Sequence, residues 1–309
     1  MPTAMAIPEA GRALHGILLV DKPAGLTSAA VVARVKRTLG RRKVGHLGTL
    51  DPFATGLLPV CLDEGTKVAQ FLAGGDKRYV GEIVLGVATD TLDCTGTVVA
   101  TRPVPRLEPA RVAAAVAALR GDLVQIPPMY SALKRDGVPL YRLARAGCEV
   151  ARAPRRVHVA RFEVAELAPD RLAFAVTCSK GTYVRVLAHD LGVALGTGAH
   201  LGALRRTAFG AFELSAAVTL DRLAEAAGAG TLPLVSPSAA LVGYRAVVVD
   251  PATIDAIRHG RQHGLRVLGA PRAASEVVRL ESAAGELIAV AEATAEPAVW
   301  RLARVLAPS

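Results

Sequence analysis

Residues 45–56 read Gly-His-Leu-Gly-Thr-Leu-Asp-Pro-Phe-Ala-Thr-Gly, a stretch with three glycines, one proline, one histidine and a single carboxylate, Asp51. Gly45, Gly48 and Gly56 relax steric limits, so the backbone can turn sharply and approach another molecule closely. Pro52 fixes its own φ and drives Asp51 out of the helical region, which sets the carboxylate on a stiff bend. Six cations (Arg34, Lys36, Arg37, Arg41, Arg42 and Lys43) lie upstream, with no acid between Arg34 and Asp51. A lone acid behind a cationic segment suits chemistry on a polyanion, in which the cations hold phosphates and the acid reacts. The same Asp-Pro pair also reads as a helix start, with Asp51 as N-cap and Pro52 in the first turn. Spacing alone leaves both readings open.

Two tyrosines stand beside cations, in Lys77-Arg78-Tyr79 and in Lys180-Gly181-Thr182-Tyr183-Val184-Arg185. A tyrosine face next to a phosphate-binding cation is what stacking an unpaired base requires. Each ring taken alone fits the edge of a core equally well. Other chemistries find less support. His259 and His263 stand four apart, but Gly260 and Gly264 weaken a helix there and no third ligand accompanies them, so no metal centre is expected. Gly196-Thr197-Gly198 with Gly202 follows an expected helix rather than a strand, which argues against a dinucleotide fingerprint. No P-loop lysine pattern and no Gly-x-Ser-x-Gly occurs. Asp90 and Asp93 are candidate second acids, but nothing in the sequence links them to Asp51. The four cysteines, Cys61, Cys94, Cys148 and Cys178, come no closer than 30 positions and read as buried, reduced thiols of a cytosolic protein.

The elements that must position these residues follow from pattern. The chain has 309 residues, enough for about two domains, and its 51% hydrophobic and 21% charged composition can bury a core. The formal charge of +10 favours an acidic partner, nucleic acid before an anionic membrane surface. Beyond residue 243, eight arginines against seven acids leave only +1, so +9 lies in residues 1–243. Between residues 120 and 161, nine basic residues face three acids. No apolar run is long enough to span a bilayer, and the first sixteen residues lack a signal-peptide pattern.

Residues 1–14 read as a loose tail. A strand is expected over 16–20, then a helix over 28–39 capped by Ser28 and closed by Gly40, and a short helix over 65–72. Residues 78–88 alternate as one strand, with Tyr79, Gly81, Ile83, Leu85 and Val87 on one side. A polar loop at 89–93, a strand at 97–101 and a helix opened by Pro109 and closed by Gly121 follow. Residues 122–154 are Pro-interrupted and basic, a functional excursion rather than a core element. Strands at 157–167 and 172–178, a helix at 183–195 and a returning strand at 201–212 complete the unit. Residues 221–243 read as a linker, and short strands at 246–249, 277–280 and 287–291 give a small, mostly β C-terminal unit. The class is α+β.

Four motifs carry a resemblance to a known family: 18–28 (Leu-Leu-Val-Asp-Lys-Pro-Ala-Gly-Leu-Thr-Ser); 45–59; Lys77-Arg78-Tyr79 with Thr89-Asp90-Thr91-Leu92-Asp93; and 179–185 with Leu204-Arg205-Arg206-Thr207. Residues 125–134 (Gln-Ile-Pro-Pro-Met-Tyr-Ser-Ala-Leu-Lys) fit as well. Over residues 15–215 the chain resembles bacterial tRNA pseudouridine-55 synthases of the TruB type. The resemblance implies a catalytic domain over 15–243, built on a central mixed, mainly antiparallel sheet flanked by helices. Within it, 122–154 would be an RNA-binding insertion, and 244–309 would be a PUA-like domain.

The activity implied is isomerisation of uridine 55 in the tRNA T-loop to pseudouridine, with neither cofactor nor metal. The resemblance also implies a cytoplasmic monomer that binds the tRNA T-arm, without membrane or guide RNA. Asp51 matches the nucleophile, acting at the ribose anomeric carbon by a glycal or an acylal route. Tyr79 matches the residue that stacks the flipped base and takes a ribose proton, and Arg185 the partner that keeps Asp51 ionised. Tyr183 and Leu204 match the pocket wall, and His46 the residue inserted near the vacated base position.

Overall fold

The computed structural model describes residues 14–296 and 299–307. The chain opens with β1 (Gly16–Lys22) and α1 (Ser28–Leu39), followed by β2 (Val44–His46), β3 (Thr55–Leu62), α2 (Gly65–Leu72) and β4 (Lys77–Leu85). A small hairpin of β5 (Val87–Thr89) and β6 (Val98–Thr101) precedes α3 (Pro109–Ala118) and β7 (Gly121–Gln125). Next come β8 (Lys134–Arg135), β9 (Val138–Pro139) and α4 (Leu140–Arg145), then the long hairpin of β10 (Arg155–Ala168) and β11 (Arg171–Cys178). After α5 (Val184–Ala194) and β12 (Ala199–Phe209), the short elements β13 (Phe212–Glu213), β14 (Val218–Thr219), α6 (Leu223–Gly228), β15 (Leu234–Val235) and α7 (Pro237–Ala240) wrap back. The C-terminal unit has β16 (Arg245–Val248), α8 (Pro251–Arg258), β17 (Val277–Glu281), β18 (Leu287–Ala293) and β19 (Trp300–Val305).

The main sheet runs β14-β1-β3-β12-β4-β11-β10-β7, with β15 on β1, β2 on β3 and β13 on β12. Pairing is antiparallel except between β1 and β14 and between β3 and β12. This is the mixed, mainly antiparallel α+β sheet that was expected. Its centre is buried on both faces, which explains the unbroken Ile-Leu-Leu-Val run in β1. Leu18 and Val20 join a core with Val31 and Val35 of α1, Val116 of α3, and Leu187 and Leu191 of α5. Ile17 and Leu19 face a second core with Leu57, Cys61 and Phe209, which also takes in Leu287, Val290 and Leu306. The small C-terminal sheet, ordered β16-β17-β18-β19, therefore packs on the side of β1 away from α1. Lys67 Nζ donates to Val305 O at 2.8 Å, and the Tyr244 hydroxyl donates to Phe71 O at 2.8 Å, across the same junction.

Several elements differ from their sequence reading. Thr27, not Ser28, caps α1, its hydroxyl accepting from Ala30 N at 3.0 Å, which frees Ser28 for another task. The expected single strand over 78–88 stops at Leu85, because Gly86 takes φ +83° and turns the chain into the β5–β6 hairpin. Part of 122–154 is sheet after all: β7 pairs with β10 from Arg155↔Gln125 to Val159↔Gly121. The stretch read as a linker docks on the main-sheet unit through buried Leu223, Leu232 and Leu241, and β15 pairs with β1. β19 went unread because it has only six residues and a single tryptophan to mark it. Cys61 and Cys178 are buried, but Cys94 and Cys148 are exposed. The tail reading falls outside the described residues up to residue 13, while Leu14 is buried.

Candidate active site

Asp51 does not cap a helix. A bend follows it and leads directly into β3, and the only local turn bond runs from Ala54 N to Asp51 O at 3.1 Å. The loop is instead gripped by three buried side chains from outside it. Ser28 Oγ, freed from capping, accepts from Leu50 N at 2.9 Å and donates to Leu50 O at 3.1 Å. Lys22 Nζ donates to Ala54 O at 2.6 Å and Pro52 O at 3.1 Å. Arg206 closes the two ends together, with Nη2 to Gly48 O at 2.9 Å and Nε to Leu57 O at 2.7 Å. Gly56, at φ +97°, allows the contact with β12, since a Cβ there would lie 2.3 Å from Arg206 O. The stiff bend legible in the sequence is thus held at its ends and its middle.

Asp51, Tyr79, Tyr183, Arg185 and Leu204 line one pocket of about 290 Å³. Arg185 Nε lies 3.0 Å from Asp51 Oδ2, and Nη2 donates to Asp51 Oδ1 at 3.3 Å. The guanidinium, 3% exposed, is itself fixed by Thr91 O at 2.8 Å, Tyr130 O at 2.7 Å and Asp93 Oδ2 at 3.3 Å. Asp93 is the residue the sequence left unconnected. Its Oδ1 accepts from Thr91 Oγ1 at 2.8 Å and Thr95 Oγ1 at 2.6 Å, so a buried network carries it to Asp51 through Arg185. The Thr-Asp-Thr-Leu-Asp loop was the available signal, but it named no partner. Gln125 is a second residue passed over for a role: it brackets Tyr183, accepting from its N–H at 2.9 Å and donating to its carbonyl at 3.3 Å. His46 stands on β2 outside the pocket lining, paired with Val60, and its buried Nδ1 meets no hydrogen-bond partner.

The electrostatics follow from burial. Asp51 keeps a side-chain exposure of 34%, yet removal of water pushes its carboxyl above the usual carboxylate value. Arg185 and Lys22 pull it part of the way back, and the charge of Asp93 adds to the rise. The sequence reading weighted Arg185 as the deciding influence; in the structure, burial outweighs it. Burial also raises the Tyr79 phenol, with Arg206 opposing, so this ring is a neutral phenol at pH 7. Tyr183 rises for the same reason. Burial, then Arg206, depresses His46 and keeps it uncharged at neutral pH.

A larger groove of about 880 Å³, between α3 and the β10–β11 hairpin, contains none of these residues. Among the described residues, no three His, Cys, Asp or Glu side chains converge as a metal site would require. His259 is engaged at the end of α8, its Nδ1 2.8 Å from Asp255 O. No helix among the described residues is long and apolar enough to cross a membrane.

The pocket residues fall within two family matches. Residues 36–184 match the N-terminal domain of the TruB family of pseudouridylate synthases, and residues 185–232 match the tRNA pseudouridylate synthase B C-terminal domain. A tRNA pseudouridine synthase B from Thiobacillus denitrificans is 47% identical over 296 residues, 94% of this chain and 96% of that protein. The chain belongs to the TruB family. A second TruB-type relative, the tRNA pseudouridine synthase B of Geobacter sulfurreducens, is 50% identical over 249 residues, 80% of this chain and 82% of its own length. The crystal structure of a Cbf5–Nop10–Gar1 complex contains a chain that is 25% identical with a TM-score of 0.73, covering 99% of this chain and 92% of that one. The boundary between the two TruB matches falls in the first turn of α5, so it divides the sequence of the main sheet and not its fold.

Proposed function

We propose that this TruB-family chain isomerises uridine 55 in the T-loop of tRNA to pseudouridine, in the cytoplasm and as a stand-alone monomer. The observation that carries the reading is the ion pair at 3.0 Å between Asp51 and Arg185, inside the pocket that also holds Tyr79, Tyr183 and Leu204. Names of relatives that cover over nine-tenths of the chain supply the substrate class. A uridine inside a folded loop must leave its stack before its sugar is reached, at about a few kcal/mol. Stacking on Tyr79 returns roughly 1–3 kcal/mol of that.

Asp51 in its ionised form attacks the nucleoside at the anomeric carbon, and the bond to N1 of uracil breaks. The uracil anion rotates and rejoins the anomeric carbon through carbon 5, displacing the Asp51 carboxylate, and the proton lost from carbon 5 is balanced by one taken up at N1. Arg185 opposes protonation of Asp51 and fixes the direction from which it attacks. Tyr183 and Leu204 form the wall against which the base turns, and His46 enters beside the place the base has left. The C-terminal sheet, PUA-like in this reading, extends the surface available to the tRNA.

The test is incubation of the protein with an unmodified tRNA transcript, followed by mapping of pseudouridine at single-nucleotide resolution. Product at position 55 alone is expected. Product elsewhere with none at 55 would remove the site assignment, and no product would remove the activity.

A further inference from the structure

Besides Arg185, a second cation lines the pocket, and it has another cation behind it and no ion-pair partner. Lys77, 8% exposed, lines the pocket beside Asp51 and Tyr79. Arg206 lies behind it at 0% exposure, on the neighbouring strand β12 and directly across from Tyr79. Both rest on one ring: Lys77 Nζ is 4.5 Å and Arg206 Cζ 5.5 Å from the centroid of Phe209. Lys77 makes one hydrogen bond, to Gly75 O at 2.9 Å, and Arg206 Nη1 meets no partner. Neither cation forms an ion pair with any carboxylate among the described residues. Gly48, at φ +65°, brings bare backbone to the same place; a Cβ there would lie 2.9 Å from the Phe209 ring and 3.4 Å from Lys77 Cε.

Burying two like charges with no ion-pair partner, and with only Asp76 acting on Lys77 at longer range, is costly, and an anion arriving from solvent relieves that cost. On the reading above, which this inference rests on, the arriving molecule is RNA. We infer that Lys77, supported from behind by Arg206, is the binding subsite for a backbone phosphate of the nucleotide docked at Asp51. Lys77 touches the phosphate, and Arg206 is a positioning residue that adds its field and fixes Gly48.

The charge state of Lys77 makes the subsite testable. Four groups face its ammonium: Arg206 from β12 and Lys180 from the loop before α5 depress it, while Asp76 just before β4 and Cys178 of β11 raise it. Burial dominates, and Lys77 is lowered to about 8. The contact is therefore largely formed at pH 7 and fades as pH rises through about 8.

The experiment is steady-state kinetics on unmodified tRNA transcript, from pH 6.5 to 9.5 and across a salt series, for wild type, Lys77→Gln and Lys77→Arg. At pH 7, Lys77→Gln raises KM roughly five- to twentyfold and lowers the salt slope by roughly 0.7, the increment for one phosphate of single-stranded RNA. Wild-type KM worsens above pH 8, and Lys77→Arg, charged throughout, removes that alkaline limb. A fall in kcat with KM and salt slope unmoved would overturn the phosphate assignment, as would an unchanged salt slope in Lys77→Gln or an alkaline limb that persists in Lys77→Arg. If wild type made no pseudouridine, the functional reading would fall by itself. Filter binding of the same transcript by wild type and the two variants would still read the phosphate contact, by the same salt slope and pH limb.

Discussion

The pocket at Asp51 has two charged walls of opposite construction. On one, Arg185 is saturated: two carboxylates and two carbonyls hold it, and almost nothing of it reaches solvent. On the other, Lys77 and Arg206 are as deeply placed but form no ion pair: carbonyls accept their hydrogen bonds, both rest on the Phe209 ring, and Asp76 acts on Lys77 only at longer range. A cation surrounded by fixed anions cannot recruit another, so the first wall sets the angle and charge of one acid. A cation left without an anion can, so the second wall is built for something the folded chain lacks. The two share one mount, since Arg206 also ties the ends of the loop that carries Asp51.

The largest effect should come from breaking the saturated wall. Arg185→Ala leaves Asp93, 3% exposed, without its cation and Asp51 without its guide. We expect kcat to fall by about 10²-fold or more, KM to move far less, and stability to drop by roughly 3–5 kcal/mol, read by kinetics and by denaturant melts. A loss confined to KM would make Arg185 a phosphate clamp and erase the contrast between the walls. Asp93→Ala removes only the anchor behind the guanidinium. Its kcat should fall by roughly ten- to a hundredfold, with Asp51 intact. An Asp93→Ala enzyme at full rate would mean that Arg185 holds its place without the buried network.

A smaller effect is expected from Ser28→Ala, which strands the N–H and carbonyl of Leu50. It should cost about 1–3 kcal/mol in unfolding free energy and a few-fold in kcat. No change in either would show that the other two grips suffice. The smallest effect is a displacement in pH. With Asp51 reacting as the anion and burial raising its carboxyl, kcat/KM should climb with pH through a midpoint above the ordinary value of about 3.9. A midpoint at or below that value would mean that Arg185 and Lys22 outweigh burial.

Much of the site was legible because its signals are local. Glycine and proline around Asp51 imply a bend whatever the rest of the chain does, and Lys-Arg-Tyr and Thr-Tyr-Val-Arg place a ring beside a cation within a few residues. What holds the bend was not legible. Ser28 reaches Leu50 from 22 positions away, Lys22 reaches Ala54 from 32, and Arg206 reaches Gly48 from 158. Ser28 even carries a misleading local meaning, since a serine at a helix start reads as a cap. Asp93 is silent for the same reason: its link to Asp51 passes through a side chain 92 positions later. Strand alternation placed β4, β10 and β11 to within a few residues, but no pattern announced that β3 and β12 would run parallel and bring Arg206 beside Gly56.

The central claim is that one half-buried carboxylate does the chemistry, and Asp51→Asn tests it most directly. Folding raises the Asp51 carboxyl, so the folded chain binds that proton more tightly than the unfolded one. Its contribution to stability therefore falls as pH climbs from the ordinary carboxylate value through the raised one, and the amide removes that penalty at pH 7. Asp51→Asn should melt no lower than wild type, bind unmodified tRNA transcript within about threefold of wild type, and form pseudouridine at position 55 at least about 10³-fold more slowly in single turnover. Turnover at position 55 within tenfold of wild type, by a variant that is folded and binds, would contradict the account.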